Sequence, residues 1–172
     1  LFADHVPLED SPLVAAERAA GALVVGKSNV PEFATGSHTF NEVFGVTRNP
    51  YDLDKTCGGS SGGAAVALAC GMLPLADGSD LGGSLRNPAS FCNVVGFRPS
   101  QGRVHFPGDV AHLSHATLGP MARSVEDVAL LLSVLTNESV LDVRGDVAGR
   151  KVAWCNGFGL PFEPEVRTVV DG

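Results

Sequence analysis

The sequence has no uninterrupted apolar run of 18 residues, no Cys-x-x-Cys pair and no cluster of basic residues. The missing apolar run argues against a transmembrane helix, and the first ten residues lack the charged and apolar regions of a signal peptide. A net charge of −7 without a basic stripe argues against a nucleic acid or a membrane surface as a partner.

The cysteines lack the spacing of a zinc ribbon or a redox motif; they are Cys57, Cys70, Cys92 and Cys155. We therefore expect small buried thiols, which suits the reducing cytoplasm. His112 and His115 form a lone His-x-x-His pair without a third ligand, so we predict no metal site.

A chain of 172 residues, 44% of them hydrophobic, suggests one domain over residues 1–172 with a sizeable core. The first residue is not Met, and the last ten residues, EPEVRTVVDG, have the pattern of the opening turns of a helix. We therefore expect the sequence to be a piece of a longer chain.

Helical and strand patterns alternate along the chain, which predicts an α/β fold. The predicted helices are a Ser-Pro-capped segment from Ser11 to Gly21, a buried small-residue segment at 62–70 and a segment after the cap Ser124. Short apolar runs predict strands, namely ALVV (22–25), LPLAD (73–77), VVGF (94–97) and KVAW (151–154).

The stretch from Gly21 to Ser28, GALVVGKS, matches the letters of a phosphate-binding P-loop. That motif requires a loop between its glycines and a helix after it. Because ALVV is predicted to be a strand, its N–H groups would be used in a sheet, so we reject ATP or GTP binding.

The stretch CGGSSGG, residues 57–63, matches the Gly-x-Ser-x-Gly nucleophile elbow twice. An elbow needs a strand before it, and the preceding NPYDLDKTC is polar and turn-like. The other members of a triad would have to be Asp109 and His112 or His115, all in loop-like sequence. A glycine turn whose hydroxyls bond backbone groups is the simpler interpretation.

The stretch SDLGGSLRNP, residues 79–88, presents Ser84 directly after two glycines. Successive N–H groups in such a turn can converge on an oxyanion, and an Asp80–Arg86 ion pair could hold its shape. A plain glycine turn is the alternative. Ser84 has no base nearby in the sequence, but one helix and one strand separate it from Ser60, so the two serine turns can meet and Ser60 can relay its proton.

The span from Gly58 to Ala89, GGSSGGAAVALACGMLPLADGSDLGGSLRNPA, resembles the signature of the amidase signature family. Four further stretches are similar to that family: GKSNVPEF (26–33), NP (49–50), VVGFRPSQGRV (94–104) and GPMARSVEDVALLL (119–132). The resemblance covers nearly the whole chain. It implies a mixed central β-sheet surrounded by helices, of which this chain would be the central part.

The resemblance also implies a Ser–cis-Ser–Lys triad that hydrolyses a carboxylic amide without a cofactor. By position, Ser84 is similar to the nucleophile and Ser60 to the bridging serine, with a cis Gly59–Ser60 peptide. Ser61 supports the site, and the oxyanion hole comprises the N–H groups of Leu81, Gly82, Gly83 and Ser84.

The resemblance implies that the family's lysine lies on a strand well before GKSNVPEF, upstream of Leu1. Lys27 and Lys55 do not occupy the matching position, so this piece alone is expected to be inactive. A small-molecule amide is the expected partner, and a homo-oligomer is left open. The resemblance leaves two alternatives: an amidotransferase subunit that releases ammonia from glutamine for aminoacyl-tRNA, and an inactive fragment or binding module.

Overall fold

The fold was analysed in a computed structural model, which describes residues 5–106, 115–151, 153–155 and 157–171. In these ranges the α-helices are α1 (Pro12–Ala19), α2 (Gly62–Ala69), α3 (Arg86–Phe91), α4 (Val125–Thr136) and α5 (Pro164–Asp171), and short 3-10 helices span Glu32–Ala34 and Gly157–Gly159. The strands are β1 (Phe40–Asn41), β2 (Gly45–Val46), β3 (Leu75–Asp80), β4 (Val95–Gly96) and β5 (Thr117–Ala122). This arrangement confirms the expected α/β class.

The sheet at the centre of the described fold has the strand order β3-β5-β4. β5 runs antiparallel to both neighbours, and its register with β3 extends from Leu75 opposite Ala122 to Asp80 opposite Thr117. β1 and β2 form a separate antiparallel hairpin. The strand pairs among the described residues are thus antiparallel, whereas the resemblance implied a mixed sheet.

The predicted helices are present because their ends carry local signals. The Ser11 hydroxyl accepts from the Val14 N–H at the start of α1, and the Ser124 hydroxyl accepts from the Asp127 N–H at the start of α4. α2 needs no polar face, since its small side chains are mostly buried. α5 forms where the last ten residues predicted a helix.

Two strand predictions are wrong, because an apolar run becomes a strand only beside a partner that accepts its hydrogen bonds. ALVV is exposed and pairs with no described strand, and Lys151, Ala153 and Trp154 of KVAW lie in no strand. The strand predicted at LPLAD starts two residues later, at Leu75, and continues to Asp80 as β3. Of the strand predicted at VVGF, only Val95 and Gly96 are in β4.

Sequence reasoning missed β5, the central strand of the sheet. Pro120 lies in the middle of β5 and has no N–H to donate to a neighbour, which normally argues against a central strand. Its carbonyl oxygen still accepts from the Phe97 N–H at 3.1 Å.

The larger of two core clusters packs α2 and α3 against the sheet. Its fully buried members are Cys57, Ala65, Leu68, Leu85, Cys92 and Met121. A second cluster joins Leu13 of α1 to Leu131, Leu132 and Leu135 of α4. In the described residues, no helix is long and apolar enough to cross a membrane.

The expectation of buried thiols holds for Cys57 and Cys92 and is wrong for Cys70 and Cys155, which are exposed. Cys70 follows the last turn of α2, where the helix has left the core. Burial raises the pKa of Cys57, and burial together with the neighbouring thiols of Cys57 and Cys70 raises the pKa of Cys92 to about 11.

We predict that iodoacetamide at neutral pH leaves Cys57 and Cys92 unmodified in the folded protein, because the thiolate is the reactive form and burial disfavours it. Peptide mapping by mass spectrometry measures the modification site by site. Unfolding in urea serves as the control, since it should make both thiols reactive. Modification of native Cys92 at the rate found in urea would contradict the packing described here.

Candidate active site

Two serine-containing loops meet at the carboxyl end of β3. The first loop, residues 57–61, leads into α2, and the second, residues 81–85, leads from β3 into α3. The Ser61 N–H donates to the Ser84 carbonyl oxygen at 3.2 Å. The two serine turns therefore lie in direct backbone contact, as the sequence predicted.

Ser60 and Ser84 differ in their access to solvent. Ser60 is only 2% exposed, and its preceding peptide bond, Gly59–Ser60, is cis, as expected. Ser84 is half-buried. Within the described part of the chain neither hydroxyl has a hydrogen-bond partner, so both can serve a proton transfer or a bound molecule.

Ser61 connects the first loop to β3. Its hydroxyl accepts from the Ser79 N–H and donates to the Ser79 carbonyl oxygen, both at 3.4 Å. Gly58 has a φ of +76°, and a Cβ at this position would overlap the Asn87 side-chain oxygen and lie 3.0 Å from the Pro88 Cα. Glycine is therefore required at residue 58 both for its backbone conformation and for the close approach of α3.

Asp80 organises the second loop, and its side chain is fully buried. Its carboxylate accepts hydrogen bonds from the backbone N–H groups of Gly83 at 2.8 Å and Leu85 at 3.2 Å. Arg86 adds two side-chain bonds at 3.0 Å, which confirms the predicted ion pair. The loop thus wraps around a single buried negative charge.

Arg98 is a second cation on Asp80, and sequence reasoning missed it. Its guanidinium donates to the Asp80 carboxylate at 2.7 Å and also bonds the carbonyl oxygens of Asp80 and His115. The Arg98 side chain is 25% exposed against 56% for Arg86, so solvent screens its ion pair less. Nothing in the local sequence indicates this pair, because the fold brings Arg98 to Asp80 from beyond β4.

Burial by itself would raise the pKa of Asp80. Hydrogen bonds from Arg86, Gly83, Arg98 and Leu85 outweigh burial and hold the pKa of this carboxyl well below its usual range. Asp80 therefore stays ionised throughout the physiological range, which keeps its backbone hydrogen bonds charge-assisted and strong.

The N–H groups of the second loop divide into two sets. The Gly83 N–H is directed to Asp80, whereas those of Leu81, Gly82 and Ser84 have no acceptor among the residues described. Leu85 is fully buried in the core next to Ser84, and burial of a leucine contributes about 2 kcal/mol. This anchor and Asp80 fix the loop on both sides of the glycines.

The P-loop-like stretch and the elbow-like stretch both lack the secondary structure that those motifs require. No α-helix begins at Ser28, and the short 3-10 helix after it spans only Glu32–Ala34, so GALVVGKS lacks the helix that a P-loop requires. ALVV is not a strand, although a strand was the predicted reason for rejecting this motif. The first loop has only an isolated bridge before it, between Arg48 and Thr56, where an elbow would have a strand. His115 is exposed, and Asp109 and His112 lie outside the described residues.

Lys27 and Lys55 are both exposed, and Lys55 pairs with Asp52 at 3.5 Å. The described lysines make no hydrogen bond to the Ser60 hydroxyl.

We predict that Asp80→Asn lowers the free energy of unfolding by about 3 kcal/mol at pH 7, because it leaves two arginines and the loop N–H groups without a buried negative charge. The stabilisation from a depressed pKa is present above the ordinary value of 3.8 and is lost as the pH falls below it. The difference between wild type and variant, measured by urea unfolding, should therefore be constant from pH 7 to 5 and shrink below pH 4.

The matched control is Asp52→Asn, which removes an exposed ion pair and should cost less than about 1 kcal/mol. Equal unfolding midpoints for wild type and Asp80→Asn at pH 7 would contradict the role assigned to Asp80.

Comparisons with known proteins give the family to which the chain is similar. The family model described as Amidase matches residues 1–153. The chain is 49% identical over 143 residues to a glutamyl-tRNA(Gln) amidotransferase subunit of Alkaliphilus metalliredigens, covering 83% of this chain and 29% of that protein.

Two solved structures are similar to the described fold. One is a glutamyl-tRNA(Gln) amidotransferase subunit from Thermotoga maritima, with a TM-score of 0.70, 42% identity and coverage of 77% of this chain and 29% of that one. The other is a peptide amidase from Stenotrophomonas maltophilia, with a TM-score of 0.69, 40% identity and coverage of 74% and 27%.

The chain thus spans about three tenths of the length of the amidotransferase subunit of Alkaliphilus metalliredigens. The match nevertheless includes both serine loops, β3 and the cation pair on Asp80. With the family model matched over residues 1–153 and the two serine loops in contact, the chain belongs to the amidase signature family.

Proposed function

We propose that the protein containing this chain cleaves the C–N bond of a carboxylic amide through an acyl-enzyme on Ser84. The observation that carries the proposal is the bond from the Ser61 N–H to the Ser84 carbonyl oxygen at 3.2 Å. It joins the loop that contains the buried Ser60 to the loop that contains the half-buried Ser84. A serine hydroxyl needs a base to become a nucleophile, and a neighbouring serine can pass the proton on.

In the proposed reaction the Ser84 oxygen attacks the amide carbonyl carbon while its proton passes to Ser60. Ser60 in turn gives its own proton to a lysine that lies outside these 172 residues. The C–N bond then breaks, the leaving nitrogen takes a proton back through Ser60, and the acyl group remains on Ser84 as an ester. Water hydrolyses that ester and releases the carboxylic acid.

When Ser84 attacks the amide, negative charge develops on the substrate's carbonyl oxygen, and fixed hydrogen-bond donors must stabilise it. We assign this role to the N–H groups of Leu81, Gly82 and Ser84. The Gly83 N–H, also expected from the sequence to be a donor, bonds Asp80 and serves to hold the turn. Donors fixed by a buried carboxylate need no reorganisation as charge develops, which is the property that makes such a site effective.

A second candidate function is supported by the comparison with relatives. The relatives in Alkaliphilus metalliredigens and Moorella thermoacetica are both named as glutamyl-tRNA(Gln) amidotransferase subunits, with 49% and 43% identity. In this alternative the same acyl-enzyme forms on glutamine, and the released ammonia is passed to aminoacyl-tRNA. Ammonia release from glutamine only in the presence of co-purifying subunits and charged tRNA would favour it, whereas hydrolysis of simple amides by the lone protein would favour an amidase.

A fluorophosphonate probe on the intact protein tests the proposal, because it phosphonylates only an activated serine. We predict that Ser84 is modified, that Ser84→Ala abolishes modification, and that Ser60→Ala slows it on the order of a hundredfold through loss of the proton relay. Modified peptides are identified by mass spectrometry.

The matched control is Ser90→Ala, which removes an exposed hydroxyl from α3 six residues after Ser84 and should leave labelling unchanged. Labelling that persists in Ser84→Ala, or that maps to another residue, would overturn the assignment of the nucleophile.

A further inference from the structure

Thr39 lies directly before β1 and is buried within a largely exposed stretch of the chain. It is only 2% exposed. Its hydroxyl donates to the Gly58 carbonyl oxygen at 2.9 Å, and the Ser60 carbonyl oxygen lies 3.5 Å from the same oxygen atom. Because a hydroxyl has one proton to donate, the Gly58 bond is the principal one.

The side chain of Thr39 also fills the space between the first serine loop and the start of α2. A Cβ at Gly59 would lie 3.0 Å from the Thr39 hydroxyl oxygen, and a Cβ at Gly62 would overlap the Thr39 side chain. The loop therefore approaches Thr39 at van der Waals distance on two sides, and a shift of this side chain must move the loop.

Thr39 is itself held firmly. Its carbonyl oxygen accepts from the Thr47 N–H at 2.9 Å. The Thr47 hydroxyl accepts from the Asn29 amide at 2.9 Å, and the Asn29 carbonyl oxygen accepts from the Gly63 N–H at 3.2 Å. The hairpin that follows Thr39 is thus connected through Asn29 to the first turn of α2.

We propose that Thr39 is a positioning residue that holds the cis Gly59–Ser60 segment, and with it Ser60, in place. The inference rests on the proposed function, in which Ser60 relays the proton of Ser84. Among the described residues, the other donor to the Gly58 carbonyl oxygen is the Cys57 thiol at 3.4 Å, which is a weak donor and cannot replace a hydroxyl. Loss of the Thr39 hydroxyl leaves a buried carbonyl poorly satisfied and frees the loop to shift.

The test compares Thr39→Val, which removes the hydroxyl at nearly constant volume, with Thr39→Ser, which keeps it. The intact protein is treated with the fluorophosphonate probe, and the reaction at Ser84 is separated into the binding constant KI and the rate constant kinact. We expect Thr39→Val to lower kinact on the order of tenfold or more with KI unchanged, since a small misplacement of a relay slows the chemical step. Thr39→Ser should recover most of the rate.

Thr136→Val is the matched control, because it removes a hydroxyl that bonds Leu132 within α4, away from both serine loops. It should leave kinact unchanged. If Thr39→Val does not fold, Thr39→Ala replaces it, with thermal unfolding reporting the fold of each variant. An unchanged kinact in Thr39→Val, or an equal loss in Thr39→Ser, overturns the proposal.

Amide hydrogen exchange of residues 57–63 separates this inference from the proposed function. If the probe leaves wild-type Ser84 unmodified, the proposed function fails. The positioning role is then judged by exchange alone, and faster exchange of residues 57–63 in Thr39→Val than in Thr39→Ser supports it. Equal exchange in those two variants would then overturn it.

Discussion

The buried carboxylate of Asp80 is the constraint on which the second serine loop depends. An ionised group with no exposure to water is tolerated only when its lone pairs are filled, and here backbone N–H groups and two guanidinium groups fill them. The need to satisfy one charge therefore dictates the path of residues 81–86. That path in turn leaves the N–H groups of Leu81, Gly82 and Ser84 without an acceptor among the described residues.

The first serine loop is supported differently, by neutral hydrogen bonds and close packing. Thr39 bonds the Gly58 carbonyl, Ser61 bonds both backbone groups of Ser79, and α3 approaches Gly58 closely. The second serine loop is thus held by a buried charge, and the first is held by neutral hydrogen bonds and close packing. The Ser61–Ser84 backbone hydrogen bond joins the two loops. A displacement of either loop therefore changes the position of Ser60 relative to Ser84.

Features with local causes were predictable from the sequence. The caps at Ser11 and Ser124 and the small-residue run of α2 act within one helix turn, and the corresponding helices formed. The Asp80–Arg86 pair was predictable for the same reason, since a short loop brings the two together. The strands were harder: ALVV has the composition of a strand but no described partner, while β5 has a proline and nonetheless occupies the centre of the sheet.

The sequence by itself determined the family, the two serine turns and the glycines that allow them, because these depend on residue type and short spacing. Only the tertiary structure decided what holds those turns. Arg98 reaches Asp80 from beyond β4, and Thr39 reaches Gly58 from the hairpin before it. Such contacts join residues far apart in the chain, and the hydroxyl or guanidinium that makes them looks in the sequence like any other polar side chain.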